Sequence, residues 1–221
     1  MTVTIAEELL LLAYSDDKGK PLIADSRLDH AVAGALLAEL AVRGRVELTG
    51  RTLTGRKLTV RDPRPLRDEL LDGVLNHMAK RSDRSPSWWL QRLEKHDRRM
   101  RLLSRLAAMG VLREQRDKAL GIFTVTTWPT AFPGVEAAVR QRVSAALAGA
   151  HHDERTAALI GLVHSAGLTR KAFPGADRRR FKHFAAGAWA SGPVASTVAS
   201  INSAVKASSS GGAGGEGGDG G

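Results

Sequence analysis

The chain has no cysteine among its 221 residues. Disulfides and thiolate metal sites are therefore excluded, and a reducing, cytoplasmic setting is expected. Aromatic residues make up only 5% of the sequence, with one Tyr, so Leu, Ala and Val must fill the core, which favours helix packing over a β-sandwich. Long apolar runs are missing as well. The longest, near residues 9–14 and 157–163, are far too short to cross a bilayer. No basic stretch precedes an apolar core at the N-terminus, so no secretory leader is expected.

Catalytic signals are equally sparse. There is no H-E-x-x-H, no G-x-S-x-G and no nucleophile paired with a base. The stretch GRTLTGRK at 50–57 approaches a phosphate-binding loop, but Arg56 stands where the lysine belongs and no Ser or Thr follows for magnesium. It also lies between two strand-like segments, so it reads as a hairpin turn. His151, His152, Asp153 and Glu154 are metal-ligand types, yet neighbours on a helix point in different directions. Asp153 and Glu154 read more simply as a charge pair at a helix N-terminus. His164, inside an apolar helix, reads as a hydrogen-bonded core histidine. The expectation is a protein with no metal, no cofactor and no enzymatic activity.

What is present is a 43% hydrophobic, 25% charged chain with a net charge of +10, enough for one sizeable core. Such a charge points to anionic partners: nucleic acid, anionic lipid or acidic protein. It is unevenly spread. Residues 77–118 hold twelve Lys/Arg and five Asp/Glu, and residues 170–182 hold six Lys/Arg and one Asp. Together these two segments exceed the whole-chain excess, so the remainder is slightly acidic.

Along the chain, Thr4 and Glu7 form a capping box ahead of an apolar run, starting a helix near residue 5. Ser26 and Asp29 repeat the cap signal before a helix reaching about Arg43, where Gly44 supplies the positive φ of a helix terminus. Residues 45–48 and 56–62 alternate around the 50–55 turn as a β-hairpin. The apolar stripe Leu66, Leu70, Leu71, Val74, Leu75 and Met78 marks the next helix. Ser85-Pro86-Ser87 opens a long helix to about Met109, with Trp89, Leu93, Met100, Leu103 and Ala107 as its buried face. Val111-Leu112 and residues 119–127 read as a second hairpin around the polar stretch 113–118. Helices follow at about 134–148, 153–166, 177–190 and 194–206. The fold class is mainly α: a single helical domain, residues 1–207, carrying two small β-hairpins. The Gly/Ser-rich tail, residues 208–221, is too poor in apolar groups to offset ordering entropy and is expected to be disordered.

On the long helix, Arg92, Lys95, His96 and Arg99 are spaced by three and four, so they share one face. A rigid helix presenting several cations is a phosphate-binding surface, since guanidinium engages phosphate oxygens in paired hydrogen bonds. Trp88 and Trp89 diverge on a regular helix, so either one is interfacial or the helix begins between them.

The segments at 4–19, 36–48, 98–112, 126–129 and 155–173, in that order and spacing, resemble the Golgi phosphoprotein 3 family over roughly residues 3–205. The resemblance implies a peripheral membrane protein that reads phosphoinositide head groups, phosphatidylinositol 4-phosphate in the family, and holds membrane-protein clients by their cytosolic tails. It places the family's paired head-group arginines at His96 and Arg99, of which Arg99 matches. The family's tryptophan and second-helix arginine fall on Ala24 and Ala33. Arg27, near the same helix start, is a replacement cation. The head-group set is thus Arg99, His96, Arg92 and Arg27, with weaker phosphoinositide discrimination than in relatives carrying the full pocket.

The resemblance further assigns self-association or membrane contact to the second hairpin, where Leu120, Ile122 and Phe123 are the apolar members. A packed sheet face is the plainer reading of the same residues. The Ala-, Arg- and Gly-rich composition points to a GC-rich bacterial gene. The expected location is cytoplasmic, peripheral to the inner face of a membrane, with anionic phospholipid, a protein client and a second copy of the chain as partners. The competing reading is a DNA-binding, winged-helix-like regulator with helix 26–43 ahead of its wing; nucleic acid is the less favoured partner, because that helix carries few base-reading side chains.

Overall fold

The computed structural model describes residues 3–50, 55–81, 83–119 and 123–210. Helices α1 (Ile5–Ala13) and α2 (Asp25–Val42) lead into a hairpin of β1 (Val46–Thr49) and β2 (Lys57–Val60). Then come α3 (Glu69–Ala79), α4 (Pro86–Leu93) and α5 (His96–Ala108), and a second hairpin of β3 (Gln115–Ala119) and β4 (Phe123–Thr127). The chain continues through α6 (Pro133–Leu147), α7 (Glu154–Ser165), the single turn α8 (Thr169–Ala172), α9 (Arg178–Ala185) and α10 (Pro193–Ser210). The fold is mainly α, with two separate two-stranded antiparallel sheets. The registers pair Val46 with Val60 and Gln115 with Thr127.

The centre of the core is α2, which packs against α1, α7, α10 and α4. It is apolar nearly all round, with Leu28, Ala31, Ala33, Ala35, Leu36, Leu37, Ala38 and Leu40 at 0% exposure, the pattern of a fully enclosed helix. A Cβ at Gly34 would lie 2.5 Å from Val205, so only glycine lets α10 cross α2 this closely. A helix enclosed in this way beyond its first turns offers little free face to a DNA groove, so the winged-helix reading is not favoured.

The local signals hold at several ends. The Thr4 hydroxyl accepts from the Glu7 amide and the Glu7 carboxylate accepts from the Thr4 amide, completing the capping box. Gly44 has φ +65°. Asp68 caps α3 through the Leu70 and Leu71 amides, and Asp153 caps α7 through Thr156.

Five expectations are corrected. The helix of residues 86–109 is two helices, broken where Glu94 and Lys95 are extended. At about 100° per residue, Leu93 and Leu102 would lie on opposite sides of one continuous helix. The break lets Trp89, Leu90 and Leu93 face α2 and α10, while Leu102, Leu103 and Leu106 face α1. The buried face of α5 is accordingly shifted: Met100 and Ala107 are only partly buried, and Arg99 is enclosed. Ser26 and Asp29 do not cap α2, whose N-cap is Ala24 with no side-chain bond. Residues 115–119 form a strand, so the polar stretch expected as a turn is half of the second hairpin. Helix α9 ends at Ala185 and α10 runs on to Ser210.

Candidate functional site

The start of α2 meets the start of α5. Asp25 and Asp29 sit one turn apart on α2 and receive Arg99 from α5, with Nη1 2.5 Å from Asp25 Oδ1 and Nε 3.0 Å from Asp29 Oδ1. His96, one turn before Arg99, places Nδ1 2.8 Å from the same guanidinium. Guanidinium nitrogens only donate, so His96 Nδ1 accepts, which puts the ring proton on Nε2. His30 of α2 pairs with Glu94 at the α4–α5 break and donates from Nδ1 to the Ser26 carbonyl at 2.8 Å. Burial pushes the Tyr14 hydroxyl up to about 12, with Arg99 opposing and Asp25 and Asp29 reinforcing the shift. Burial also raises Asp29 above the usual carboxylate range, although Arg99 and His30 pull against it.

Of the four cations expected at a head-group site, the fold joins only His96 and Arg99. Arg99 is 1% exposed and faces two carboxylates. Arg27 lies on another face of α2, donating to the Ser209 carbonyl near the end of α10 at 3.0 Å. Arg92 belongs to α4, beyond the break, and is exposed. The shared face expected from spacing is corrected by that break. Ala24 is exposed, whereas Ala33 has no exposed surface at all.

Many other arginines are also turned inward. Arg105 bridges Glu7 and Asp68 at 2.6 and 2.7 Å. Arg155 joins Glu39 at 2.9 Å and Glu8 at 3.4 Å, and Arg142 reaches Glu8 at 2.8 Å. Glu7, Glu8 and Glu39 are all buried. The first signal of this network lay in α1, where two adjacent glutamates interrupt an otherwise apolar helix.

The outward charge gathers elsewhere. Lys80 and Arg81 at the end of α3, Arg92 on α4 and Lys95 before α5 are exposed and pair with no carboxylate among the described residues. Arg98 closes the α4 end by donating to the Leu93 carbonyl at 2.9 Å, and Arg101 meets Glu69 only at 3.5 Å. His77 records the crowding: burial lowers its pKa, and Arg92, Arg81, Arg98 and Lys80 lower it further. Arg98 is also lowered, by burial, then Arg92 and Arg101, with Asp97 opposing. Sequence singled out Arg92 and Lys95 here but not Arg98 or Arg101, because their convergence with α3 is a tertiary contact.

Trp89 is buried, while Trp88 is half-buried beneath the Arg84 guanidinium, 5.5 Å from its ring centre. His164 is half-buried and its Nδ1 has no hydrogen-bond partner, which corrects the expected hydrogen-bonded core histidine. Leu120 and Ile122 lie outside the described residues, and Phe123 enters as the first backbone position of β4. Near the base of that hairpin, Phe132 is 59% exposed and Val125 38%.

A family model described as Golgi phosphoprotein 3 (GPP34) matches residues 5–201. The chain is 26% identical over 164 residues to vacuolar protein sorting-associated protein 74 of Eremothecium gossypii, across 66% of this chain and 49% of that protein. The match thus spans about half the length of that curated relative.

Proposed function

Because the chain belongs to the Golgi phosphoprotein 3 family, we propose that it is a non-catalytic peripheral membrane protein that docks on anionic phospholipid. The observation that carries this reading is the crowding of Lys80, Arg81, Arg92, Lys95, Arg98 and Arg101 where α3, α4 and α5 meet. Like charges held together repel one another, and a sheet of lipid phosphates relieves that repulsion. Arg92 and His96 are the exposed members of the sequence-derived set on these elements, and they contact head groups in this reading. Arg99 and Arg27 join helices instead. No helix among the described residues is long and apolar enough to cross a membrane; in this reading attachment is peripheral, at the cytoplasmic side.

Phosphatidylinositol 4-phosphate is the family's lipid. Here the Arg99 guanidinium already has two carboxylate partners, so selection for that lipid is weak and the attraction is mainly one of charge. The second hairpin supplies the remaining contact. Among the described residues its two strands pair only with each other, leaving outer edges on which a second copy can add. The exposed Phe132 and Val125 beside it provide apolar surface. A protein client would then be held close to the bilayer.

The test is flotation with vesicles of neutral lipid, of neutral plus anionic lipid, and of neutral lipid plus phosphatidylinositol 4-phosphate. Binding is expected with both anionic compositions and should fall as salt rises. Equal flotation with neutral vesicles, or tighter retention by a DNA duplex than by anionic vesicles, would overturn the reading.

A further inference from the structure

We infer that the groove between α3 and α5 is a specific site for the phosphate of an anionic phospholipid, separate from the His96–Arg99 position. The groove has a volume of about 540 Å³, and Lys95, Arg98 and Arg101 line it from α5 while Leu70, Gly73 and Val74 line it from α3. Arg98 and Arg101, three residues apart, share one strip of α5, and Lys95, the extended N-cap residue, lines the groove beside them. Arg98 is anchored at the α4 end by its bond to Leu93, which fixes one guanidinium against the groove. Lys95 is the N-cap of α5 and offers its amides no side-chain acceptor, so the positive end of a thirteen-residue helix adds to the same field.

Two carboxylates, Glu69 and Asp97, also line this space. Both are exposed, and Glu69 reaches Arg101 only at 3.5 Å. Arg92 from α4 adds a further cation to the field felt at Arg98. The balance at the groove is therefore positive.

Its neighbour identifies the ligand as an amphiphile. A second groove of about 370 Å³ shares Glu69, Leu70 and Arg101 with the first and continues along α5 past Met100, Leu102, Ser104 and Arg105, the last already held by Glu7 and Asp68. A cationic compartment opening onto one walled in part by Leu70, Met100 and Leu102 matches a phosphate attached to a glycerol and acyl chain. A free inorganic anion would have no use for the second compartment, and a nucleic acid would have no matching apolar segment. The inference takes the membrane as the source of the phosphate and rests on the membrane-docking reading in that respect.

The experiment compares wild type, Lys95→Gln with Arg101→Gln, Glu69→Gln, and a control pair Arg178→Gln with Arg179→Gln, two exposed cations on α9. Arg98 is left intact because of its bond to α4. Each protein is titrated with anionic-lipid vesicles, with a water-soluble short-chain anionic phospholipid, and with inorganic phosphate, the last two followed by NMR. At about 1 kcal/mol per surface cation, each lost charge in the site weakens vesicle binding about fivefold. The α5 pair should lose about 25-fold and abolish saturable binding of the short-chain lipid. Glu69→Gln should tighten both, and inorganic phosphate should bind weakly at the same resonances. Equal losses for the α5 and α9 pairs, or no saturable shift with the short-chain lipid, would overturn the site while leaving charge-driven docking intact. Conversely, saturable short-chain binding without flotation would retain the site and remove the docking reading.

Discussion

Arg99 Nε and Asp29 Oδ1 lie 3.0 Å apart, with Arg99 side-chain exposure at 1% and that of Asp29 at 15%. Neither atom has a hydrogen-bond partner: they are close as charges but not aligned as donor and acceptor. The pair joins α5 to α2 by electrostatic attraction in a poorly solvated site, and Asp25 and His96 complete the guanidinium's surroundings. The arginine that sequence places at a lipid phosphate is thus one whose removal strands a half-buried carboxylate.

Arg99→Ala should therefore destabilise the fold by about 3–5 kcal/mol, the usual cost of breaking a buried pair by deleting one partner. Urea unfolding measures it. Asp29→Asn in the Arg99→Ala background should recover part of the loss. Unchanged stability together with abolished vesicle binding would instead identify Arg99 as a direct lipid ligand.

Restoring the family arginine at position 33 should fail. Ala33 has 0% exposure inside α2, and a guanidinium there must overpack the core, at about 1–3 kcal/mol, before the cost of its unpaired charge is counted. Ala33→Arg should lower the melting temperature sharply and confer no selectivity for phosphatidylinositol 4-phosphate. Ala24→Trp, at an exposed N-cap, should be tolerated. A soluble, stable Ala33→Arg variant with sharpened lipid selection would contradict the enclosed position of Ala33.

Glu136 carries a pH signature. Burial raises its pKa from 4.5 to about 7, Arg140 opposes the shift, and Asp16 adds to it. The folded state thus holds a proton that the unfolded chain releases near pH 4.5. The associated stability is fully present below that pH and declines as pH rises through about 7. Glu136→Gln should flatten the pH dependence of the melting temperature across this interval relative to wild type. Parallel profiles for the two proteins would assign the slope to another group.

Phe132→Ser should change stability by no more than about 0.5 kcal/mol, as expected for an exposed side chain. At the same time it should shift mass toward monomer or weaken vesicle binding. Thermal unfolding, light scattering and flotation on one variant separate these effects. A large drop in melting temperature with unchanged assembly and flotation would mark Phe132 as structural.

Sequence alone determined those features whose physics is local. The Thr4–Glu7 capping box, the Gly44 terminus, the first hairpin and the helical class all follow from residues within a few positions of one another. The motif series placed the family, and composition located the basic segments. Tertiary structure decided which charges face water. The 3.6-residue period allows a continuous helix over 86–109, but burying Trp89 and Leu93 together with Leu102 and Leu106 requires a break, and that break turns Arg99 inward and separates Arg92 from His96. Glu7, Glu8 and Glu39 draw Arg105, Arg142, Arg155 and Arg43 from distant or neighbouring turns. Spacing along a helix fixes which side chains share a face. Whether that face meets solvent or a carboxylate depends on the elements packed against it, and those lie tens of residues away in sequence.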